Sequence, residues 1–318
     1  MIFPQITIIG FGLVGSSLAR AVRKHNLAQK IVCVDASESV CARVMELGLA
    51  DVATTDMAQG VKDADCVVVS VPAGAFSAVG AAMREHLKDG CIVTDAGSVK
   101  QAAIAALAPH IPPQAFFVPA HPIAGTEHSG PDAGFAELFE RRWCILTPLP
   151  ETPLRAVEKI TALWEGCGAM IEIMGARRHD LTLAVTSHLP HLIAYTIVGT
   201  AADLEDDLRA DVIRFSASGF RDFTRIAASD PIMWRDIFLA NREAVLEMLQ
   251  RLNEDLSALQ KAIRQGDGQA LQDKFTRTRA IRRQVINAGQ ADYPKTTFAK
   301  SPLADEPAEI LLRKASGS

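Results

Sequence analysis

Residues Gly10-Phe11-Gly12-Leu13-Val14-Gly15 follow an apolar run at 6–9 directly and open an amphipathic stretch over 14–25. Three glycines in that spacing, caught between a strand and a helix, leave the backbone few options. The first permits a tight turn, the second lets the backbone approach a pyrophosphate, and the third lets helix and strand pack closely. The helix N-terminus then favours anionic phosphates. Asp35 ends the next apolar run, 31–34, at 20 residues beyond Gly15, within one βαβ unit. A carboxylate there accepts hydrogen bonds from a ribose 2′-hydroxyl and repels a 2′-phosphate. Residues 36–40 hold no arginine to welcome that phosphate. The expected cofactor is NAD rather than NADP, held by Gly10, Gly12, Leu13, Val14, Gly15 and Asp35.

The rest of the first half repeats the same rhythm. Apolar runs at 6–9, 31–34, 66–71, 91–94, 116–118 and 144–146 read as strands, with 169–173 a further candidate. Helical periodicity fills 14–25, 39–47, 76–87 and 99–107 between them. Buried strands alternating with helices predict an α/β fold, a Rossmann-type doubly wound parallel sheet with right-handed crossovers. From about Met174 the pattern becomes helical without a convincing strand, over 177–200, 206–228, 232–264 and 268–288. Pro190 is expected to break or kink the first of these, and Asp230-Pro231 to punctuate the boundary before the third. The division predicted is a dinucleotide-binding domain at 1–174, an all-helical domain at 175–290 and a mobile tail at 291–318. That tail holds three prolines, and a short helix at 308–314 is compatible with its sequence.

Composition narrows the function class. At 48% hydrophobic and 22% charged residues the chain has apolar content for sizeable cores. A net charge of −4 gives no electrostatic case for nucleic acid. No apolar run approaches the roughly 18 residues that span a bilayer. The N-terminus enters a strand at once, without the basic region of a signal peptide. Six scattered cysteines without a CxxC pair suggest small buried hydrophobes in a reducing compartment. The expectation is a cytoplasmic protein with no nucleic-acid or membrane partner.

In a doubly wound sheet the strand C-termini share one edge, so the loops leaving them line the cofactor crevice. Those loops carry Ser70-Val71-Pro72, then Asp95-Ala96-Gly97-Ser98-Val99-Lys100, then His121-Pro122-Ile123-Ala124-Gly125-Thr126-Glu127-His128-Ser129-Gly130. Ser70 and Pro72 join the expected cofactor contacts. His121, placed at the end of an apolar strand, is expected near the reacting carbon of a nicotinamide enzyme. His188 and His191 could be read as a metal pair. Pro190 disrupts the helix between them and no third ligand lies nearby, so no metal is expected.

The His121 segment, Gly97-Ser98-Val99-Lys100, Ser187-His188-Leu189-Pro190-His191 and Phe220-Arg221-Asp222-Phe223-Thr224-Arg225, with Trp234 beyond, occur in order along the chain. Together with the glycine turn they closely resemble the prephenate/arogenate (cyclohexadienyl) dehydrogenase family, from residue 6 to about 290. The resemblance implies oxidative decarboxylation of a cyclohexadiene, with NAD as hydride acceptor, in tyrosine biosynthesis. It implies that His121 acts as general base on the C4 hydroxyl and that Ser98 shares its hydrogen-bond network. A helix N-cap is the alternative for Ser98.

It further implies that Arg225 binds a substrate carboxylate, with Asp222 one helical turn away to hold it. Arg214 and Arg221 are competitors for that role. His191 is implied as a substrate-pocket residue, Thr126 and Glu127 as members of the active-site loop, and the helical domain as a homodimer interface. Residues 291–318 are too few for a regulatory domain or a fused mutase. Two rival readings stand beside this one. Another nicotinamide enzyme of the same plan, acting on a β-hydroxy acid or imine, typically needs a lysine in the helical half, which 177–200 lacks. An NAD-binding sensor without turnover would have no need of His121, Ser98 and Arg225 together.

Overall fold

The computed structural model describes residues 1–126, 128–204, 214 and 218–287. Six strands, β1 (Phe3–Ile9), β2 (Ala28–Val34), β3 (Val52–Thr54), β4 (Cys66–Val69), β5 (Ile92–Asp95) and β6 (Phe116–Val118), form one all-parallel sheet in the order β3-β2-β1-β4-β5-β6. Crossovers run through α1 (Leu13–Lys24), α2 (Glu38–Glu46), α3 (Met57–Val61), α4 (Phe76–Met83) and α5 (Lys100–Leu107). Period-2 alternation explains why both faces are covered. Cys66 and Val68 of β4 enter one apolar cluster with Ile6, Ile8 and Leu18, while Val67 and Val69 enter another with Ile9, Met83 and Leu107. Strand order reverses between β1 and β4, the switch point at which such sheets open a ligand crevice. β3, three residues long, is too short to show a period in the sequence.

The expected strands at 144–146 and 169–173, and His121 itself, lie elsewhere. Past β6 the chain leaves the parallel sheet at Pro119 and builds a second, three-stranded sheet from β7 (Ala120–Pro122), β8 (Trp143–Leu146) and β9 (Met170–Ile173). β7 pairs antiparallel with β8, and β8 parallel with β9. His121 therefore sits inside a strand of this small sheet, opposite Ile145, rather than at the end of a parallel strand. The helix α6 (Leu154–Gly166) spans between β8 and β9 and buries Ile160 and Trp164 against the first apolar cluster.

The second half is helical as expected, with different joints. α7 (Ala176–Leu183) runs through a π-helical turn, Ala184–His188, into α8 (Leu189–Ala202). Pro190 lies in the first turn of α8 and has no N–H to donate, and the widened turn comes just before it. α9 (Ser218–Thr224) and α10 (Pro231–Ala240) follow, then α11 (Arg242–Gln265) and α12 (Gly268–Asn287). The expected helix over 232–264 is thus two helices broken at Asn241, because that side chain turns inward to hydrogen-bond elsewhere. Part of the expected 206–228 helix and all of 291–318 lie outside the described residues.

Ala176–Ala202 corrects one reading of the sequence: by length and composition, with a mean hydropathy of 1.3, it could cross a membrane. His179, Asp180 and His188 tie one face of it into the fold, while only 22% of the apolar window is buried. By contacts the chain divides into Met1–Leu256, which holds both sheets and the helices through α10, and a second unit beginning at Ser257.

Candidate active site

The glycine turn is built for close approach. Gly10 adopts φ of +91°, and a Cβ there would lie 2.8 Å from Val71 Cγ1. A Cβ on Gly15 would meet the Gly10 carbonyl oxygen at 2.0 Å, so any side chain would force α1 off β1. Gly12 is the opposite case, with nothing within 4 Å of its Cβ position. It caps α1 with no side chain and no acid in the first turn, leaving the backbone N–H groups open toward an anion. The Ser70 hydroxyl donates to the Gly10 carbonyl at 2.6 Å and knits this turn to β4. Asp35 accepts from the Phe11 N–H at 2.9 Å and the Ser37 N–H at 3.0 Å, which holds its carboxylate at the end of β2. Leu13 is buried and Val14 half-buried on α1, and Pro72 precedes a short 3-10 turn at Ala73–Ala75. An open cradle beside a fixed acid fits a dinucleotide.

His121 stands just past the C-terminal edge of the large sheet. Its neighbour Ala120 donates its N–H to Asp95 Oδ1 at 3.2 Å, which pins β7 to the end of β5. The Ala120 carbonyl accepts from Lys100 Nζ, and the same ammonium is paired with Asp95 Oδ2. Lys100 and Asp95 are both fully buried. The backbone on which His121 rides is therefore clamped on both sides by one buried ion pair.

The imidazole is 7% exposed, and its Nδ1 lies 2.8 Å from His179 Nε2. Its Nε2 has no partner among the described residues. Burial pushes the His121 pKa well below its ordinary value, and the nearby His179, Lys100 and His188 push the same way. The ring is neutral at physiological pH, the state a proton acceptor needs.

Behind His121 a polar spine crosses into the helical half. His179 Nδ1 lies 2.8 Å from Asp180 Oδ1. The Asp180 carboxylate also accepts from the Lys100 N–H at 2.7 Å and the Gln101 N–H at 2.9 Å. These are the first N–H groups of α5, so an acid from α7 caps that helix, and the alternative reading of Ser98 as its N-cap does not hold. The residue at the cap position is Val99, which has no side-chain cap bond. Burial favours the neutral acid in Asp180, but the His179 and backbone bonds outweigh it and hold the pKa below its ordinary value. The Asp180 carbonyl accepts from Asn241 Nδ2, which also lies 3.1 Å from His188 Nδ1. Burial lowers the His188 pKa to about 4.

His191 is half-buried and stacks on Trp234, with ring centroids 3.6 Å apart and planes inclined by 22°. Its Nδ1 bonds the Ser187 carbonyl at 2.9 Å across the π turn. His188 meets the same indole edge-on, at 6.1 Å. The Trp234 Nε1 is buried without a partner among the described residues. Arg225, exposed at the end of α9, is close enough for its charge to bear on His191, whose pKa is lowered chiefly by burial. Asp222 is exposed on α9, and Arg214 and Arg221 are exposed as well. Ser98 is half-buried beside the Lys100 clamp. Thr126 Oγ1 accepts from the His128 N–H at 3.2 Å, and Glu127 lies outside the described residues. Among the described residues no cluster of three or more histidine, cysteine, aspartate or glutamate side chains could hold a metal.

Residues 18–173 match the nucleotide-binding domain of prephenate dehydrogenase, and residues 175–277 match its dimerization domain. The chain belongs to the prephenate dehydrogenase family. It is 44% identical to the cyclohexadienyl dehydrogenase of Zymomonas mobilis over 281 residues, covering 88% of this chain and 96% of that one. Among solved structures it resembles prephenate dehydrogenase from Aquifex aeolicus in complex with hydroxyphenyl propionate and NAD+, with a TM-score of 0.82 and 32% identity over 88% of this chain and 98% of that one. It also resembles Synechocystis arogenate dehydrogenase, with a TM-score of 0.77 and 26% identity over 88% and 99% of the two chains.

In this prephenate dehydrogenase family member, sequence reasoning gave no role to Asp95, Lys100, Asp180 or Asn241. Lys100 and Asp95 look like solvated charges at a loop end. Two signals point to Asp180: it is an acid beside a histidine, and both lie just ahead of the mostly apolar stretch 181–202.

Proposed function

We propose that this chain is an NAD-dependent dehydrogenase of prephenate and/or arogenate, giving 4-hydroxyphenylpyruvate or tyrosine, with His121 as the general base. One observation supports the base assignment above others. His121 is buried and neutral beside the cofactor edge, with one ring nitrogen engaged and the other unpartnered. That nitrogen takes the proton of the C4 hydroxyl, and Ser98 shares the hydroxyl's hydrogen-bond network. NAD, when bound, supplies the hydride acceptor, and the residues that would hold it are Gly10, Gly12, Leu13, Val14, Gly15, Asp35, Ser70 and Pro72. Loss of the C1 carboxylate as carbon dioxide aromatises the ring and makes the step irreversible. His191, on its Trp234 platform, lines the substrate pocket with Thr126 and Glu127. The test is NADH formation by purified protein with prephenate and arogenate in parallel. Silence on both, with NAD still binding, would overturn the reading.

Arg225 binds the substrate carboxylate, with Asp222 beside it. Arg225→Ala should raise KM about 10- to 100-fold with little change in kcat, because a charge-assisted hydrogen bond contributes about 1.5–3 kcal/mol. An unchanged KM in steady-state assays would move the role to Arg214 or Arg221. Asp35 sets the preference for NAD over NADP. In Asp35→Ser, kcat/KM for NAD should fall about tenfold and the NADP-to-NAD ratio should rise, since the 2′-hydroxyl loses its acceptor and the 2′-phosphate its repulsion. An unmoved ratio would remove Asp35 from cofactor selection.

The division of labour follows the two family matches, with 1–174 holding cofactor and 175–290 completing the substrate site and forming a homodimer. Exposed apolar residues support that dimer: Val185, Ile197, Val198, Phe223, Ile232 and Leu239 are between about one-third and two-thirds exposed. All six cysteines are buried and free, which fits a reducing cytoplasm.

A further inference from the structure

The spine behind His121 does more than fill space. Asp180 offers only acceptors, and its two oxygens already receive the Lys100 and Gln101 N–H groups. For His179 Nδ1 to bond Asp180 Oδ1 at 2.8 Å, that nitrogen must carry a hydrogen. His179 is fully buried, and burial keeps it neutral against the pull of Asp180, so its Nε2 is a bare lone pair. The partner of that lone pair at 2.8 Å is His121 Nδ1, which must then be the protonated nitrogen of its ring. The lone pair of His121 is thereby left on Nε2, the nitrogen without a partner.

We propose that His179 and Asp180 are positioning residues which fix His121 in the Nδ1–H tautomer and so present its Nε2 lone pair to the substrate hydroxyl. This rests on the reading of His121 as general base. Each assignment in the chain follows from the one before it, starting at an acceptor-only carboxylate. Once His121 takes a proton, its Nδ1–H still donates to His179, and the new charge faces Asp180 through one intervening ring. The other titratable and charged groups around the pair are Lys100 and Asp95 beneath it, His188 from the π turn and Cys144 on β8. Among the described residues none of these bonds the ring nitrogens of either histidine.

The decisive variants are His179→Gln and His179→Leu, with Asp180→Asn beside them. Glutamine can accept from His121 through its carbonyl and donate to Asp180 through its amide, so it reproduces both contacts. Leucine fills similar space and makes neither. Leu at 179 should lower kcat about 10²–10³-fold with KM for prephenate and NAD affinity nearly unchanged, as loss of tautomer control does in a catalytic triad. Gln should restore kcat to within about tenfold of the parent, and Asn at 180 should behave like Leu. Folded, NAD-binding His179→Leu protein with full kcat, or Gln and Leu equally impaired, would overturn the proposal.

Should Leu not fold, ¹⁵N spectra of histidine-labelled full-length protein decide the matter without it. The expected result is Nδ1–H with bare Nε2 on His121, assigned by its loss in His121→Asn. An Nε2–H tautomer there would overturn the relay while leaving His121 as a possible base. Full turnover of His121→Asn would instead overturn the base reading, whatever the tautomer.

Discussion

Replacing His121 with asparagine is expected to leave the fold and NAD binding intact and to lower kcat at least about a hundredfold. A positioned general base typically contributes about 10²–10⁴ in rate, roughly 3–5 kcal/mol of barrier. Asparagine keeps a polar group in the pocket but cannot take up a proton. Near-parental turnover would remove His121 from the mechanism. The pH dependence carries its own sign. With His121 as the base, neutral imidazole is the active form, and burial holds its pKa well below 6.5, with His179, Lys100 and His188 adding to the effect. The parent's kcat should therefore stay level as pH falls through 6.5 and drop only below the depressed value. A midpoint at or above 6.5 in the pH profile would show that the base is not this buried ring.

The second large effect concerns stability. Lys100→Met keeps most of the side-chain volume but strands Asp95 in a fully buried site with, among the described residues, only the Gly97 and Ala120 N–H groups as partners. It also removes the donor to the Ala120 carbonyl. Breaking a buried ion pair from one side costs about 3–5 kcal/mol, so the melting temperature should fall by roughly 10 °C. Thermal unfolding checks this, and a shift under a few degrees would mean that water or a neighbour replaces the ammonium. Activity should fall as well, because the lost clamp holds the residue next to His121.

The parallel sheet was legible because its strands are buried on both faces and its first turn carries three glycines whose spacing has a geometric meaning. Asp35 was legible for the same reason, as a fixed distance along one βαβ unit. The small second sheet was not. Its strand β7 is three residues long and contains Pro122, so no period could separate it from the end of β6. His121 was found by the motif around it, while its placement in that small sheet came from the structure.

The contribution of Asp180 was hidden for a different reason. Besides His179, the partners of its carboxylate are 79 and 80 residues away, and those are backbone N–H groups, which no side-chain pattern reports. Asn241 likewise reads as an ordinary polar residue inside a periodic helix. Its inward turn ends α10 and shows only once the Asp180 carbonyl and His188 are in place.

The Asp180 cap on α5 has a consequence for how such chains can be recombined. The two family matches meet between residues 173 and 175, which looks like a natural splice point. Yet α5 starts on a carboxylate from beyond that point, and the histidine that steadies His121 comes from beyond it too. On the reading of His121 as the base, a chimera joined there would inherit the base from one parent and the histidine that sets its tautomer from the other. The proposed proton chemistry would then belong to neither parent alone.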